Sequence, residues 1–164
     1  MKPRIYRNEV GTQGFRPGLF SGTGASREVA AFLLDHNGFS GVPLTTLTEL
    51  SQVPGFKGGQ QGPTESKIGS LQRMAGATEM SSDYGTRRFD VQEVHKIGIL
   101  DLHIVNLDRN EQNILVRTRG DSQLLDFFPI DHGYCLPTSL AVTRSDWVWA
   151  SWPQTRKSFS DRSL

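Results

Sequence analysis

The sequence predicts an α+β fold, and three observations support that class. Two segments, 25–36 and 91–103, repeat apolar residues at helical spacing, whereas the segment 113–130 has the pattern of two strands around a turn. Seventeen glycines and eight prolines indicate many turns between these elements. The length of 164 residues suits one domain or a piece of a larger one.

The overall composition disfavours several classes of protein. With 18 basic and 17 acidic residues the net charge is +1, so the chain lacks the basic excess of nucleic-acid-binding proteins. Cys135 is the only cysteine, which rules out an intramolecular disulfide and fits a cytoplasmic protein. No signal core follows Met1 and no apolar stretch reaches the roughly 20 residues of a transmembrane helix, so any membrane contact is expected to be peripheral.

The first 36 residues divide into an irregular arm and a helix. Residues 1–24 contain glycines, but these lack the preceding strand and the Gly-Lys-Ser/Thr ending of a phosphate-binding loop. Over 25–36 the apolar residues form a broad helical face, with Ser26 as the expected N-cap and Asn37-Gly38 as the end. We therefore expect the domain to begin at residue 25.

Two strands and two loops are expected between the predicted helices. Leucines alternate with polar residues over 43–51, where the threonines favour a strand and the spacing alone also fits a short helix. Glycines and prolines crowd the segment 54–66, which indicates a loop. Residues 67–72 have the pattern of a short strand, and small polar residues make 75–88 a second loop.

The helix predicted over 91–103 is the most regular element of the C-terminal half. Asp90 is its expected N-cap. Its apolar residues need a buried partner, and Trp147 and Trp149 are the nearest large side chains in the segment that follows. We therefore expect this helix to pack against the two tryptophans, beneath the loop that comes after it.

Two carboxylates and an amide surround the predicted hairpin. Strands are expected over 113–117 and 123–130, with a turn between them. The preceding helix delivers Asp108 into a loop, Asn113 stands at the mouth of the first strand, and Asp131 follows the second strand. We therefore expect the three side chains to face one cleft.

Phosphoryl transfer requires such a set of side chains, since its catalysis depends mostly on position and metal charge. One carboxylate orients the attacking hydroxyl and accepts its proton, while an Asn and a second Asp hold Mg²⁺ through oxygen atoms. Gly133 lets the backbone turn after Asp131. Asp and Asn are also common turn residues, but the helix, the hairpin and the apolar-Asp-x-Gly ending together favour a kinase.

The motifs resemble those of a known family. The run D-R-N-E-Q-N at 108–113 is similar to the D-R-x-x-x-N catalytic loop of phosphatidylinositol 3- and 4-kinases. The run I-D-H-G-Y-C-L-P at 130–137 resembles the I-D-H-G-x-x-L-P motif of type II phosphatidylinositol 4-kinases of the plant gamma subgroup. Further similar segments are R-E-V-A-A-F-L-L-D-H at 27–36, G-F-S-G-V-P at 38–43, K-I-G-S-L-Q at 67–72, V-H-K-I-G-I-L-D at 94–101 and W-P-Q at 152–154.

The resemblance implies a protein-kinase-like fold that is only partly present. Residues 25–157 would hold the hinge-side strands and the first half of the helical C-lobe, followed by a tail at 158–164. It also implies ATP as co-substrate, Mg²⁺ or Mn²⁺ as the metal and phosphatidylinositol in membranes as the acceptor, phosphorylated at the inositol 4-hydroxyl.

The resemblance also assigns roles by position. Asp108 would be the catalytic base, Arg109 would brace the loop, and Asn113 and Asp131 would be the metal ligands. Glu28 would be the partner of the ATP-binding lysine. The strand that leads to the adenine-binding hinge would supply the nucleotide-binding residues Gly69, Ser70, Leu71 and Gln72.

The sequence departs from the family pattern in three places. The ATP-binding lysine and its strand are not assignable before the first helix, Asn110 stands where many relatives have His, and the chain stops soon after W-P-Q. We therefore expect the 164-residue chain alone to bind ATP weakly and to transfer little phosphate. Two alternatives stay open: an inactive kinase remnant that acts as a binding or regulatory module, and a protein kinase on the same fold.

Overall fold

The computed structural model describes residues 10–50 and 66–160 of the chain. The predicted α+β class is confirmed, because helices and antiparallel sheets both contribute to the described part. The helices are α1 (Gly24–Leu34) and α2 (Val91–Ile104), and the strands are β1 (Thr45–Leu50), β2 (Lys67–Gln72), β3 (Glu79–Met80), β4 (Ile114–Thr118) and β5 (Leu125–Pro129). The loop predicted over 54–66, apart from its last residue, lies outside the described residues, as do residues 1–9 and 161–164.

Helix α1 begins earlier and ends earlier than the prediction. Its N-cap is Thr23, whose carbonyl oxygen already accepts a hydrogen bond from the Arg27 N–H at 3.1 Å. The prediction of Ser26 as the cap is therefore wrong, since Ser26 lies inside the first turn. The helix stops at Leu34, because the next residue, Asp35, turns its carboxylate to the Ser40 N–H at 2.7 Å.

Strands β1 and β2 form a separate antiparallel hairpin against which α1 packs. The strand interpretation of 43–51 is confirmed, and the bounds of β2 agree with the prediction. Most of the apolar side chains on this hairpin stay in solvent, among them Leu47, Ile68 and Leu71, which are 47%, 68% and 63% exposed. The hairpin therefore contributes little to the buried core.

The second sheet has the order β3-β4-β5 and carries the main core. Strands β4 and β5 pair over five residues, as the hairpin prediction requires. The prediction that 75–88 is only a loop is wrong, because β3 pairs with β4 through Glu79 and Met80. These two residues are exposed and too few to show an alternating apolar pattern.

Helix α2 lies across this sheet with its apolar face buried. Asp90 caps it as predicted, since its Oδ1 accepts the Gln92 N–H at 3.0 Å. Ile97 is fully buried, and the ring of Trp149 covers the helix at Gly98. The expected packing of α2 against the tryptophan segment is confirmed. The buried core cluster of this region contains Phe89, Val94, Ile97, Ile114, Val116, Leu125, Phe127 and Trp152.

The remaining described segments are turns and short 3₁₀ helices. The segment 10–23 contains one isolated bridge and is fastened to the C-terminal part by an ion pair between Arg16 and Asp146 at 2.7 Å. Within the described ranges no helix combines the length and the apolarity needed to cross a bilayer. The 3₁₀ helices are His36–Gly38, Ser81–Asp83, Thr86–Arg88, Glu111–Asn113, Arg144–Asp146, Val148–Ser151 and Pro153–Arg156.

Candidate functional site

The loop between α2 and β4 is built around the buried carboxylate of Asp101. This side chain accepts hydrogen bonds from the Arg109 guanidinium at 3.1 to 3.2 Å, from Asn106 Nδ2 at 3.1 Å and from Trp149 Nε1 at 2.8 Å. Asp101 and Arg109 are both fully buried. A buried ion pair of this kind is tolerable only when further hydrogen bonds satisfy both partners, and here they do.

Arg109 connects this loop to the residues that precede β4 and follow β5. Its Nη1 donates to the carbonyl oxygen of Asn113 at 2.6 Å and to that of Ile130 at 2.8 Å. The Ile130 N–H in turn donates to the Asn113 carbonyl at 3.1 Å. Arg109 therefore fixes the residue before Asp131 against Asn113, and the bracing role in catalysis that the resemblance implies for it stays a prediction.

Asp108 and Asn113 meet within the loop. The Asn113 Nδ2 donates to the Asp108 carbonyl oxygen at 2.9 Å, which leaves the amide oxygen of Asn113 available as an acceptor. The Asp108 N–H donates to Asn106 Oδ1 at 3.0 Å. The backbone of Asp108 is thus held on both sides, while its side chain is only half-buried.

Asp131 follows β5 with a left-handed backbone, at φ 53°. Enclosure of its carboxyl raises the pKa above its usual range, and the negative charges of Glu28 and Asp108 raise this pKa further. The residue as a whole is still exposed to solvent. The structure therefore brings Asp108, Asn113 and Asp131 together at one end of the β4–β5 hairpin, with Glu28 beside them.

Glu28 reaches this group from α1. Its Oε2 lies 3.5 Å from His132 Nδ1, a distance at the outer limit of a hydrogen bond. Burial alone would raise the pKa of the Glu28 carboxyl, but His132 and the Gly133 N–H lower this pKa on balance. Among the described residues Glu28 has no ion pair with a lysine, so its predicted role as the lysine partner stays a prediction.

The predicted nucleotide-binding residues lie apart from this loop. Gly69, Ser70, Leu71 and Gln72 belong to β2, and the Gln72 Nε2 donates to Thr45 Oγ1 of β1 at 2.9 Å. In the described part of the chain, no hydrogen bond joins these residues to the segment 108–113. Their nucleotide-binding role stays a prediction.

Comparison with known proteins assigns the chain to a family. The model of the phosphatidylinositol 3- and 4-kinase family matches residues 2–146. The chain belongs to the phosphatidylinositol 3- and 4-kinase family. The resemblance expected from the two motifs is thereby confirmed.

Plant phosphatidylinositol 4-kinases are among the curated relatives of this chain. The chain is 41% identical to phosphatidylinositol 4-kinase gamma 4 and 38% identical to phosphatidylinositol 4-kinase gamma 8 of Arabidopsis thaliana, over 90% and 94% of its own length. It is 40% identical to phosphatidylinositol 4-kinase gamma 4 of Oryza sativa subsp. japonica over 90% of its length. The matched region spans 27%, 30% and 26% of these relatives, respectively.

The side chains of this phosphatidylinositol 3- and 4-kinase family member fit a Mg²⁺ or Mn²⁺ ion. Asn113 and Asp131 offer amide and carboxylate oxygens, the ligands that Mg²⁺ prefers. Enclosure of the carboxyl raises the pKa of Asp131, and the charges of Glu28 and Asp108 raise it further; a divalent cation would offset both the enclosure and these negative charges. Within the described residues no three His, Cys, Asp or Glu side chains form a metal cluster, so phosphate and water oxygens would complete the coordination.

Sequence reasoning assigned no role to Asp101 or Asn106 in holding the loop, and it expected Trp149 only to pack against α2. Asp101 and Asn106 are fully buried. The only sequence signal for this hub, meaning Asp101 with its partners Asn106 and Arg109, was that the partners follow Asp101 by five and eight residues. His132 is also fully buried, and burial lowers the pKa of its imidazole. Cys135 is fully buried, and burial raises the pKa of its thiol to about 12.

Proposed function

We propose that this chain supplies the catalytic and metal-binding loops of a lipid kinase that transfers phosphate from ATP to the inositol 4-hydroxyl of phosphatidylinositol. The observation that carries the proposal is the link made by Arg109, which joins Asn113 to the residue before Asp131. This link supports the proposal that Asp108, Asn113 and Asp131 act together at one end of the hairpin. Membership of the family and the names of the plant relatives support a phosphoinositide as the acceptor.

In the proposed reaction Asp108 is the catalytic base. Its half-buried side chain is accessible to an acceptor hydroxyl, while its backbone is held by Asn106 and Asn113. A carboxylate in this place orients the hydroxyl and accepts its proton as the phosphoryl group is transferred. Because such catalysis depends on position, the rigid support of the loop matters as much as the carboxylate itself.

Asn113 and Asp131 would hold the metal ion. A bound Mg²⁺ or Mn²⁺ supplies positive charge that neutralises the phosphates of ATP. Asp131 is suited to this task, because it stands beside the negative charges of Glu28 and Asp108 and remains exposed. The amide oxygen of Asn113 is suited because its nitrogen is engaged with Asp108.

Fewer contacts of the described residues support an ATP-binding role than support the proposed metal-binding role. We propose that β1 and β2 are hinge-side strands of a protein-kinase-like fold and that α2 begins its helical C-lobe. Since no ATP-binding lysine is assignable, the 164-residue chain alone is expected to transfer little phosphate.

Phosphatidylinositol resides in membranes, so the proposed reaction takes place at a membrane surface. An inactive remnant with a binding role, and a protein kinase, are the alternatives to be tested.

The test replaces the matching segment of Arabidopsis thaliana phosphatidylinositol 4-kinase gamma 4 by residues 2–146 of this chain. The graft is given labelled ATP and vesicles containing phosphatidylinositol, and the labelled position on the inositol is determined. We expect a 4-phosphorylated product, with a rate that falls at least about a hundredfold in Asp108→Ala. Asp121→Ala, which removes an exposed carboxylate at the hairpin turn, is the matched control and is expected to keep the rate.

Three results would contradict the proposal. A folded graft without transfer would contradict it if the unaltered relative is active in the same assay. Label on a protein substrate instead of the lipid would favour the protein-kinase alternative. Loss of transfer combined with vesicle binding by the chain itself would favour the inactive binding module.

A further inference from the structure

Arg27 of α1 is a buried cation that belongs to no part of the site described above. Its relative exposure is 9%, and its Nη1 donates to the carbonyl oxygens of Cys135 and Leu136. Its Nε donates to Thr23 Oγ1 at 3.0 Å, which fixes the plane of the guanidinium. Among the described residues no carboxylate forms an ion pair with Arg27, so its charge is directed entirely at the backbone of the segment after Asp131.

The segment 131–136, which we call the metal-ligand turn, needs external support. It begins and ends with non-glycine residues in the left-handed region, Asp131 at φ 53° and Leu136 at φ 52°. Such conformations persist only where the surroundings hold them. On the side of α2, the Leu136 N–H donates to the Ile104 carbonyl at 2.7 Å. On the side of α1, the guanidinium of Arg27 holds the last two carbonyl groups.

The contact of Arg27 is transmitted to the metal ligand by the turn itself. The Cys135 N–H donates to the His132 carbonyl at 3.0 Å, and His132 directly follows Asp131. The next residue of α1, Glu28, contacts His132 from the same helix. Two consecutive residues of α1 therefore contact the metal-ligand turn near its two ends, Arg27 at Cys135 and Leu136 and Glu28 at His132.

We propose that Arg27 is a positioning residue, which fixes the metal-ligand turn so that Asp131 stands where it can bind the metal together with Asn113. This inference rests on the proposed function. A guanidinium suits the task because its planar, forked donors can bind two carbonyl oxygens and a hydroxyl at once. A lysine ammonium is a point charge without this fork, so it would replace Arg27 only in part.

Cys135 provides a direct report on this turn. It is the only cysteine of the sequence and is fully buried, and its thiol donates to the Arg27 carbonyl oxygen at 3.5 Å. A thiol reagent can reach it only when the turn opens. The rate of its reaction with Ellman's reagent under native conditions therefore measures how firmly the turn is held.

The experiment compares Arg27→Met, Arg27→Lys and the unaltered chain by two measurements. We expect Arg27→Met to raise the rate of Cys135 modification at least about tenfold, since it removes three hydrogen bonds from a charged donor. Titration with Mn²⁺ in the presence of ATP, with the unbound ion measured by electron paramagnetic resonance, should show affinity weakened at least about fivefold. Arg27→Lys should give intermediate values in both measurements.

Arg88→Met is the matched control. Arg88 also donates to a backbone carbonyl, that of Gln123 at 2.8 Å, but it lies outside the site. Both measurements should stay within about twofold of the unaltered chain, because loss of an arginine elsewhere does not touch the turn. If Arg27→Met does not fold, Thr23→Val removes the hydroxyl that accepts from the guanidinium and donates to the Phe20 carbonyl oxygen, and smaller changes in the same direction are expected.

Each outcome decides the proposal. A folded Arg27→Met with unaltered thiol reactivity, or Thr23→Val with both values unaltered, would overturn it. Faster thiol reaction with unchanged Mn²⁺ affinity would also overturn it, because the turn would then be held without positioning Asp131. Failure of the proposed function has a different signature, because Asp131→Asn would then bind Mn²⁺ no more weakly than the unaltered chain does. The positioning role of Arg27 would be overturned together with the proposed function.

Discussion

The loop between α2 and β4 and the hairpin of β1 and β2 are held in opposite ways. In the loop, Asp101 and Arg109 are fully buried, and Arg109 also donates to the residue before β4 and the residue after β5. In the hairpin, Ile68 and Leu71 are more than half exposed. The comparison teaches that the residues proposed to bind metal and acceptor are built rigidly into this chain, whereas the predicted nucleotide strand has little side-chain support among the described residues.

Breaking the buried ion pair is expected to have the largest effect. Arg109→Met should lower the free energy of unfolding by about 3–5 kcal/mol, because it leaves the Asp101 carboxylate buried without its cation. The control is Arg117→Met, whose ion pair with Asp126 is 3.6 Å long and more than half exposed on the arginine side. That change should cost less than about 1 kcal/mol. Equal losses in guanidinium denaturation would contradict the contrast between buried and exposed pairs.

A matched pair of isoleucines compares the two regions directly. Ile97 of α2 is fully buried, whereas Ile68 of β2 is 68% exposed. Ile97→Ala should cost about 2–5 kcal/mol through lost burial and the cavity that remains. Ile68→Ala should change the free energy of unfolding by no more than about 0.5 kcal/mol. A large loss for Ile68→Ala in urea denaturation would show that the hairpin is part of the cooperative core.

Helix α2 leaves room for a stabilising change. A methyl group at Gly98 would meet the Trp149 ring at 3.6 Å, an ordinary contact, so Gly98→Ala should stabilise the chain by about 0.5–1 kcal/mol. Gly18→Ala is the contrasting variant. Gly18 has a φ of 76° and its added methyl would lie 2.7 Å from Ser139 Oγ, so this change should destabilise. Destabilisation by Gly98→Ala, measured by thermal unfolding, would mean that Trp149 packs more tightly on α2.

The smallest expected effect concerns the N-cap of α2 and depends on pH. Burial alone would raise the pKa of the Asp90 carboxyl, but the Gln92 N–H and Arg119 lower it on balance. The charge of Asp90 therefore stabilises the fold above the unfolded-state pKa of about 3.9, and this stabilisation is lost as the pH falls through the lowered value.

Asp90→Asn keeps the capping oxygen and removes the charge. It should cost about 0.2–1 kcal/mol at neutral pH, since the Arg119 side chain is 40% exposed. The difference from the unaltered chain should vanish once the pH lies below the lowered pKa of Asp90. A difference that stays constant across this range in pH-dependent denaturation would assign the effect to the cap rather than to the charge.

Local pattern was sufficient to predict α2, the β4–β5 hairpin and the positions of Asp108, Asn113 and Asp131 next to these elements. These features depend on short-range periodicity and on the side chains that follow each element. The hub of Asp101 and Arg109 was not predictable in the same way. Whether a charged residue is buried depends on distant partners, here the Trp149 indole, 48 residues after Asp101 in the sequence.

The predicted ends of α1 were wrong for a related reason. They rested on residue preferences at Ser26 and at Asn37-Gly38, whereas the actual ends are set by the carbonyl of Thr23 and the carboxylate of Asp35. Preferences name several candidate caps, and the packed structure selects among them. The hydrogen bonds of Arg27 to the metal-ligand turn had no sequence signal at all. They join Arg27 to Cys135 and Leu136, which are more than a hundred positions away in the sequence.

Metal binding by the chain tests the central claim most directly. Mn²⁺ is titrated into the chain in the presence of ATP, and the unbound ion is measured by electron paramagnetic resonance. We predict saturable binding that Asp131→Asn weakens at least about tenfold, while Asp121→Asn, at the exposed hairpin turn, stays within about twofold. Equal affinity in the unaltered chain and in folded Asp131→Asn would contradict a metal site at the end of the β4–β5 hairpin.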